Sequence, residues 1–260
     1  MQYAIIYMAA GNSRRFGKEN KLLQEFQGKP LYRHGLDLLL DVVAEKKNVR
    51  LIVITQYKEI LEEVEKYKTG GNWVTSADSL EEAEMREKRQ AESRISCFLN
   101  PDSRKGVSYT IRRGVEEALA AGPVDYFLFM TADQPFLGRE TLENFLRTAD
   151  GEKTKEAERK TQEPEGKTKE AERETDAQEH IKKNMPGRYP VVSAACGEQP
   201  GNPVMFRADL AEELMRLQAD EGGRKVWRRY ARQGILVQVR DRRELQDMDV
   251  WEDMKNISTE

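Results

Sequence analysis

The chain has 260 residues, enough for one large domain or two small ones. Hydrophobic residues make up 38 %, charged residues 34 %, and the net charge is only −3, so the basic surplus of a protein that binds nucleic acid by neutralising phosphates is missing. Two cysteines, two histidines (His34 and His180) and no apolar run near 18 residues argue against a disulfide framework, a zinc site, a His-based hydrolase and a membrane span, and they fit a cytoplasmic protein.

Tyr3–Met8 is a short apolar run that ends in Ala9-Ala10-Gly11, the pattern of a buried strand entering a loop rather than of a signal peptide. Pro30 opens a helical pattern with Leu31, Leu36, Leu38, Leu39, Val42 and Val43 on one face. Val49–Thr55 is the second strand, and Ile60, Leu61, Val64 and Tyr67 mark the next helix. Ile95–Leu99 is a weaker third strand, followed by a helix through Tyr109, Ile111, Val115, Ala118 and Leu119. Tyr126–Thr131 gives the strongest strand pattern in the chain, and Thr141, Leu142, Phe145 and Leu146 continue as a helix. Strands alternating with helices at this spacing predict a mainly parallel sheet with helices on both faces, a three-layer α/β fold. Ligands of such sheets sit at the carboxyl ends of the strands.

Two stretches interrupt the pattern. Residues 77–94 and 150–186 hold almost no large apolar side chains. Within the second, Lys-Thr-Lys-Glu-Ala-Glu-Arg occurs at 153–159 and again at 167–173. Both are expected to be solvated insertions in one domain spanning residues 1–260. The core resumes at Tyr189–Ala195, then Gly201–Phe206 forms a short strand. Leu210, Leu214 and Leu217 mark one helix and Val226, Trp227 and Tyr230 another. Ile235–Val239 is a late strand, Asp247–Val250 leads into a last short helix, and residues 255–260 fray.

Four clusters could carry chemistry. The first is Ala9-Ala10-Gly11-Asn12-Ser13-Arg14-Arg15-Phe16-Gly17, with Lys21 beyond it. Small residues after a strand let backbone amides cradle phosphate oxygens, and Arg15 and Lys21 would offset triphosphate charge. An ordinary βα turn with solvated basic residues is the plainer alternative. The second is Thr131-Ala132-Asp133-Gln134-Pro135, where Asp133 could ligate magnesium or merely cap the helix that begins near Gly138. The third runs from Asn100-Pro101 to Gly106-Val107-Ser108, with Ser108 a candidate N-cap or nucleotide contact. The fourth is Gly201-Asn202-Pro203, with Asp220, Gly222, Gly223 and Arg224 downstream, which by themselves are turn residues.

In this order the motifs resemble the MobA-like nucleotidyltransferases, most closely the molybdenum cofactor cytidylyltransferases. The A-A-G-x-S-x-R-x-G signature at residues 9–17, Lys21, Gly28-Lys29-Pro30-Leu31, the segment from Asn100 to Ser108, Asp133-Gln134-Pro135, Gly201 to Phe206, Asp220 to Arg224 and Asp247-Met248-Asp249 carry the likeness. Val250-Trp251 stands where that family has Thr-Pro, and Asn202 where many relatives carry another polar residue. The resemblance covers nearly all of the core and neither insertion, and it implies a Rossmann-like nucleotidyltransferase fold. It also implies Mg2+-dependent transfer of CMP from CTP to the phosphate of a molybdopterin-type cofactor, with pyrophosphate released and a molybdenum hydroxylase as the downstream partner. Under that resemblance Ala9, Ala10, Gly11, Asn12, Ser13, Asn100, Gly106 and Ser108 contact the nucleotide. Arg15, Lys21 and Asp133 are catalytic, Asp133, Asp247 and Asp249 hold the metal, and Asn202, Asp220 and Arg224 face the acceptor. Two alternatives remain at this point: a cytidylyl- or uridylyltransferase for a sugar, polyol or choline phosphate, and a non-catalytic protein that delivers cofactor.

Overall fold

A computed structural model describes residues 1–12, 20–68, 89–152, 157–158 and 189–249. Its strands are β1 (Tyr3–Ala9), β2 (Glu25–Phe26), β3 (Lys29–Pro30), β4 (Val49–Thr55), β5 (Ile95–Leu99), β6 (Tyr126–Thr131), β7 (Ala157–Glu158), β8 (Val191–Cys196), β9 (Gln199–Arg207) and β10 (Ile235–Gln238). The helices are α1 (Leu31–Glu45), α2 (Lys58–Lys68), α3 (Val107–Ala120), α4 (Arg139–Ala149), α5 (Ala211–Met215) and α6 (Arg224–Tyr230).

Eight strands form one sheet in the order β5-β4-β1-β6-β9-β8-β10-β7. The neighbours from β5 to β6 pair in parallel, as do β8 and β10, while β9 runs against both β6 and β8. The expected mainly parallel sheet is therefore present, with one long reversed strand in its middle. β1 is apolar throughout because both its faces are covered. Tyr3, Ile5, Tyr7 and Ala9 pack into a layer with Leu36 and Leu39 of α1, Ile60 and Val64 of α2 and Phe145 of α4. Ala4 and Ile6 point to the opposite layer, with Ile111 and Val115 of α3, Leu214 of α5 and Trp227 of α6. Three layers result, as the alternating pattern predicts.

Several expectations need correction. The reversed strand runs from Gln199 to Arg207, longer than the short run beginning at Gly201. The segment Leu210–Leu217 gives only the five-residue α5. Lys29-Pro30 pairs with Glu25-Phe26 in a hairpin whose turn residues, Gln27 and Gly28, have φ of 48° and 85°. That is the turn a two-residue hairpin demands, but Gln-Gly is not a strong signal for it. The insertions are not solvated from end to end. Ala157–Glu158 adds an edge strand to β10, and Asp150 accepts a hydrogen bond from buried Tyr3 at 2.7 Å. Residues 89–92 are helical, Ala91 is buried, and Arg94 donates to the Val43 carbonyl at 2.6 Å. The remainder of both insertions, and the segment from Val250 onward, lie outside the described residues. No helix among the described residues is long and apolar enough to cross a membrane.

Candidate active site

The sheet reverses its winding order between β1 and β6, and two loops emerge there at the carboxyl ends of the strands. Doubly wound sheets bind ligands at such a switch point. A groove of about 240 Å³ opens between the loops, lined by Ala10, Gly11 and Asn12 on one side and by Thr131, Ala132 and Asp133 on the other. Ser103, Val107, Thr110 and Asp220 close a third side.

Local chemistry fixes each wall. The Asn20 side chain accepts from the Leu22 amide at 3.0 Å and opens a single 3-10 turn, Lys21–Leu23, which turns Lys21 inward. Lys21 is only 6 % exposed. Its ammonium lies 2.7 Å from Asp133 Oδ2 and 3.1 Å from Asp249 Oδ1. A one-turn 3-10 helix, Arg242–Leu245, is closed by a capping box between Asp241 and Glu244. The buried Glu244 also accepts from the Gly138 amide at 2.9 Å. Buried Gln134 donates to the Leu245 carbonyl, and the Met248 amide to the Asp133 carbonyl at 2.9 Å. These bonds sew residues 245–249 onto the Asp133 turn, so that Asp247 and Asp249 arrive beside Asp133.

Two carboxylates thus share one ammonium, and a third, Asp247, lies within their field. Burial, Asp133 and Asp249 together push Asp247 up to about 6, although part of its side chain stays open to solvent. Burial alone would lower the Lys21 ammonium, but Asp133 and Asp249 more than offset it and hold its pKa above the ordinary value. Asp133 Oδ1 and Thr131 Oγ1 are buried at the groove with no hydrogen-bond partner among the described residues. Buried polar atoms in a folded protein are nearly always paired, so these two oxygens fit a bound cation or donor. An oxygen-only donor set with surplus negative charge suits a hard divalent cation. No three His, Cys, Asp or Glu side chains among the described residues close around one point. A cation here would therefore take one or two carboxylates and complete its shell with phosphate and water, as magnesium usually does.

Asp133 does not cap α4, because Gly138 occupies the cap position and Glu244 supplies the acceptor. Ser108 does not cap α3. The helix starts at Val107 after Gly106, Ser108 is fully buried inside it, and the Ala219 carbonyl takes the Ser108 amide at 3.1 Å. Ser103, Val107 and Thr110 face the groove instead of Ser108. Gly106 has φ 141°, and a Cβ there would lie 2.2 Å from the Ala219 oxygen. This close approach carries Asp220 to the groove. The Asn100 side chain is committed to the backbone and donates to the Tyr109 carbonyl at 3.0 Å. Asp220 and Arg224, expected together, are divided. Arg224 lines a separate pocket of about 170 Å³ with Asn202, Ser193 and Trp227. That pocket shares Pro200 and Gly201 with an adjoining groove of about 530 Å³ bearing Arg242, Arg243 and Gln246. Ser13 and Arg15 lie outside the described residues. Gln134 and Glu244 escaped sequence reasoning because their roles depend on contacts more than a hundred residues apart.

Comparison with known proteins agrees with this fold. No curated protein matches the chain. The Rv0371c protein of Mycobacterium tuberculosis shares 17 % identity at a TM-score of 0.58, over 98 % of this chain and 96 % of its own. Its complex with manganese aligns at 15 % identity and a TM-score of 0.54, over 99 % and 98 %. A nucleotidyl transferase from Methanothermobacter gives 17 % and 0.61, over 98 % and 95 %. The 4-diphosphocytidyl-2C-methyl-D-erythritol synthase of Anaerococcus prevotii gives 14 % and 0.53, over 97 % and 92 %. At such identities these structures establish the fold. The MobA-like NTP transferase domain matches residues 5–234, nearly the whole chain, and the protein therefore belongs to that family of nucleotidyltransferases.

Proposed function

We propose that the protein is a magnesium-dependent cytidylyltransferase that moves CMP from CTP to the phosphate of a molybdopterin-type cofactor. The observation that carries this reading is the buried Lys21 ammonium held between Asp249 and Asp133, the latter lining the groove opposite the Ala10–Asn12 loop. A triphosphate laid along that groove meets backbone amides on one side and an ammonium on the other. The acceptor phosphate oxygen attacks the α-phosphorus in line, and pyrophosphate leaves. Little covalent work falls to the chain: Lys21, and by its place in the sequence Arg15, counter the charge that grows on the departing oxygens. Asp133, with Asp247 or Asp249, would hold magnesium, which supplies charge neutralisation to the phosphates. The unpartnered Asp133 Oδ1 fits that role, and so does the relative solved with manganese.

The choice of cytidine and of acceptor rests on the motif resemblance. The pocket beside Asn202 and Arg224 is roomy enough, alone, for a polyol phosphate. Its continuation into the larger groove at Arg242 and Arg243 makes space for an acceptor of pterin size and acidic character. A cytoplasmic setting, where a cofactor-requiring hydroxylase would receive the product, accords with a chain of only two cysteines. The test is pyrophosphate release from each of the four nucleoside triphosphates, with magnesium and molybdenum cofactor. CTP-specific release that requires the cofactor supports the proposal. Release driven equally well by a polyol phosphate would move the acceptor assignment.

A further inference from the structure

Three consecutive residues at the end of β4 hold three consecutive carbonyls where β1 runs into its loop. Thr55 Oγ1 donates to the Ala9 carbonyl at 2.8 Å. Gln56 Nε2 donates to the Ala10 carbonyl at 2.7 Å and reaches Asn12 Oδ1 at 3.1 Å. The Tyr57 hydroxyl donates to the Gly11 carbonyl. A strand sends successive side chains to opposite faces, so this convergence needs the chain to turn. It does so where the Tyr57 amide donates to Thr55 Oγ1 at 3.1 Å, directly after the strand ends.

A trans peptide places its N–H and C=O on opposite sides. With the carbonyls of Ala9, Ala10 and Gly11 drawn toward β4, the amides of Ala10, Gly11 and Asn12 turn away from it. In the order β4-β1-β6, away from β4 is toward β6, whose Thr131–Asp133 end forms the opposite wall of the groove. The clamp matters most at Gly11, where a Cβ would meet nothing within 4 Å and the backbone has the freedom of glycine. Unheld, that peptide could turn its carbonyl into the groove and set a partial negative charge against a phosphate.

We propose that Thr55, Gln56 and Tyr57 are positioning residues that aim the amides of the Ala10–Asn12 loop at the phosphates of the nucleotide. The proposal rests on the reading of the groove as a nucleoside triphosphate site. They touch no substrate themselves, and they act by holding carbonyls out of its way.

The test is calorimetric titration of CTP and of cytidine into the wild type, Gln56→Leu and Tyr57→Phe, with the other three triphosphates titrated into the wild type and thermal melts alongside. Gln56→Leu should weaken CTP about tenfold, and Tyr57→Phe severalfold, while cytidine affinity stays unchanged. Loss confined to the phosphate-bearing ligand is what a purely structural role would not produce. Unchanged CTP affinity in both variants overturns the clamp and leaves the nucleotide reading intact. Equal weakening of CTP and cytidine also overturns it. A wild type that binds none of the four triphosphates overturns the nucleotide reading, and the clamp with it. Tyr57→Phe loses only a hydroxyl, so it decides the matter alone should Gln56→Leu fail to fold.

Discussion

Replacing Lys21 with methionine removes an ammonium and keeps most of the side chain's volume. The wild-type lysine side chain is 8 % exposed and contacts Asp133 at 2.7 Å and Asp249 at 3.1 Å. Without it, Asp133 and Asp249 lose the ammonium they share, and Asp247 stays in their field. Stripping one partner from a buried ion pair costs about 3–5 kcal/mol. Here Asp133 and Asp249 are 21 % and 46 % exposed, so solvent screens part of the repulsion. About 2–3 kcal/mol remains after that screening. In a chain of this size each kcal/mol moves the midpoint by roughly 2–4 °C, so Lys21→Met should melt about 5–10 °C lower near pH 8. The deficit should shrink near pH 5, because Asp247, pushed up to about 6, is then largely protonated and the repulsion eases. Millimolar magnesium should stabilise the variant more than the wild type, since the cation meets an uncompensated cluster. Scanning fluorimetry at both pH values, with and without magnesium, reads all three effects. An unchanged midpoint, or a deficit that grows on acidification, would refute the shared-ammonium account.

Asp247→Asn tests the same cluster from the other side. A carboxyl whose pKa folding raises from 3.8 to about 6 contributes stability that is complete below 3.8 and lost as the pH climbs through 6. The variant should therefore gain about 1 kcal/mol near pH 8, after allowance for solvent on its open side, and nothing near pH 4, by urea titration. Gly106→Ala should lose about 2–4 kcal/mol in the same assay, because the φ of 141° and the 2.2 Å approach to Ala219 both exclude a Cβ. Deleting residues 159–186 through a short Gly/Ser bridge should preserve the fold and CTP binding, since that stretch carries almost no large apolar side chains; the cut must spare Ala157–Glu158, which pair with β10. Aggregation or lost affinity of the shortened chain would contradict it. Ala10→Gly should weaken the preference for CTP over GTP by about 1–3 kcal/mol in competition binding, because Ala10 lines the groove and one methyl group narrows it.

The parallel core was legible because buried strands are apolar throughout and their helices keep a 3.6-residue period. Tyr3–Ala9, Val49–Thr55 and Tyr126–Thr131 follow the sequence pattern within a residue. The hairpin at Glu25–Pro30 and the edge strand Ala157–Glu158 were not legible, since two-residue strands carry no period. Lys21, Asp133, Asp247 and Asp249 are named from motif order alone. Their convergence was not legible, because it depends on Gln134 and Glu244 bonding to chain more than a hundred residues distant. Ser108 misled for a related reason: a serine two residues after a glycine looks like a cap until the Ala219 carbonyl is seen to take its amide. The carbonyl clamp left no sequence signal either, as Thr-Gln-Tyr at a strand end has no characteristic spacing.

Under the proposed reaction, CMP is transferred from CTP at the groove between the Ala10–Asn12 loop and Asp133. Parallel reactions with CTP labelled at the α- or the γ-phosphorus, magnesium and molybdenum cofactor follow both halves of the nucleotide. The α-label should move to the cofactor and the γ-label to pyrophosphate, and Asp133→Asn should slow both about 10²–10³-fold while the protein stays folded. Release of the γ-label as inorganic phosphate, transfer from GTP in preference to CTP, or full activity in Asp133→Asn would contradict it.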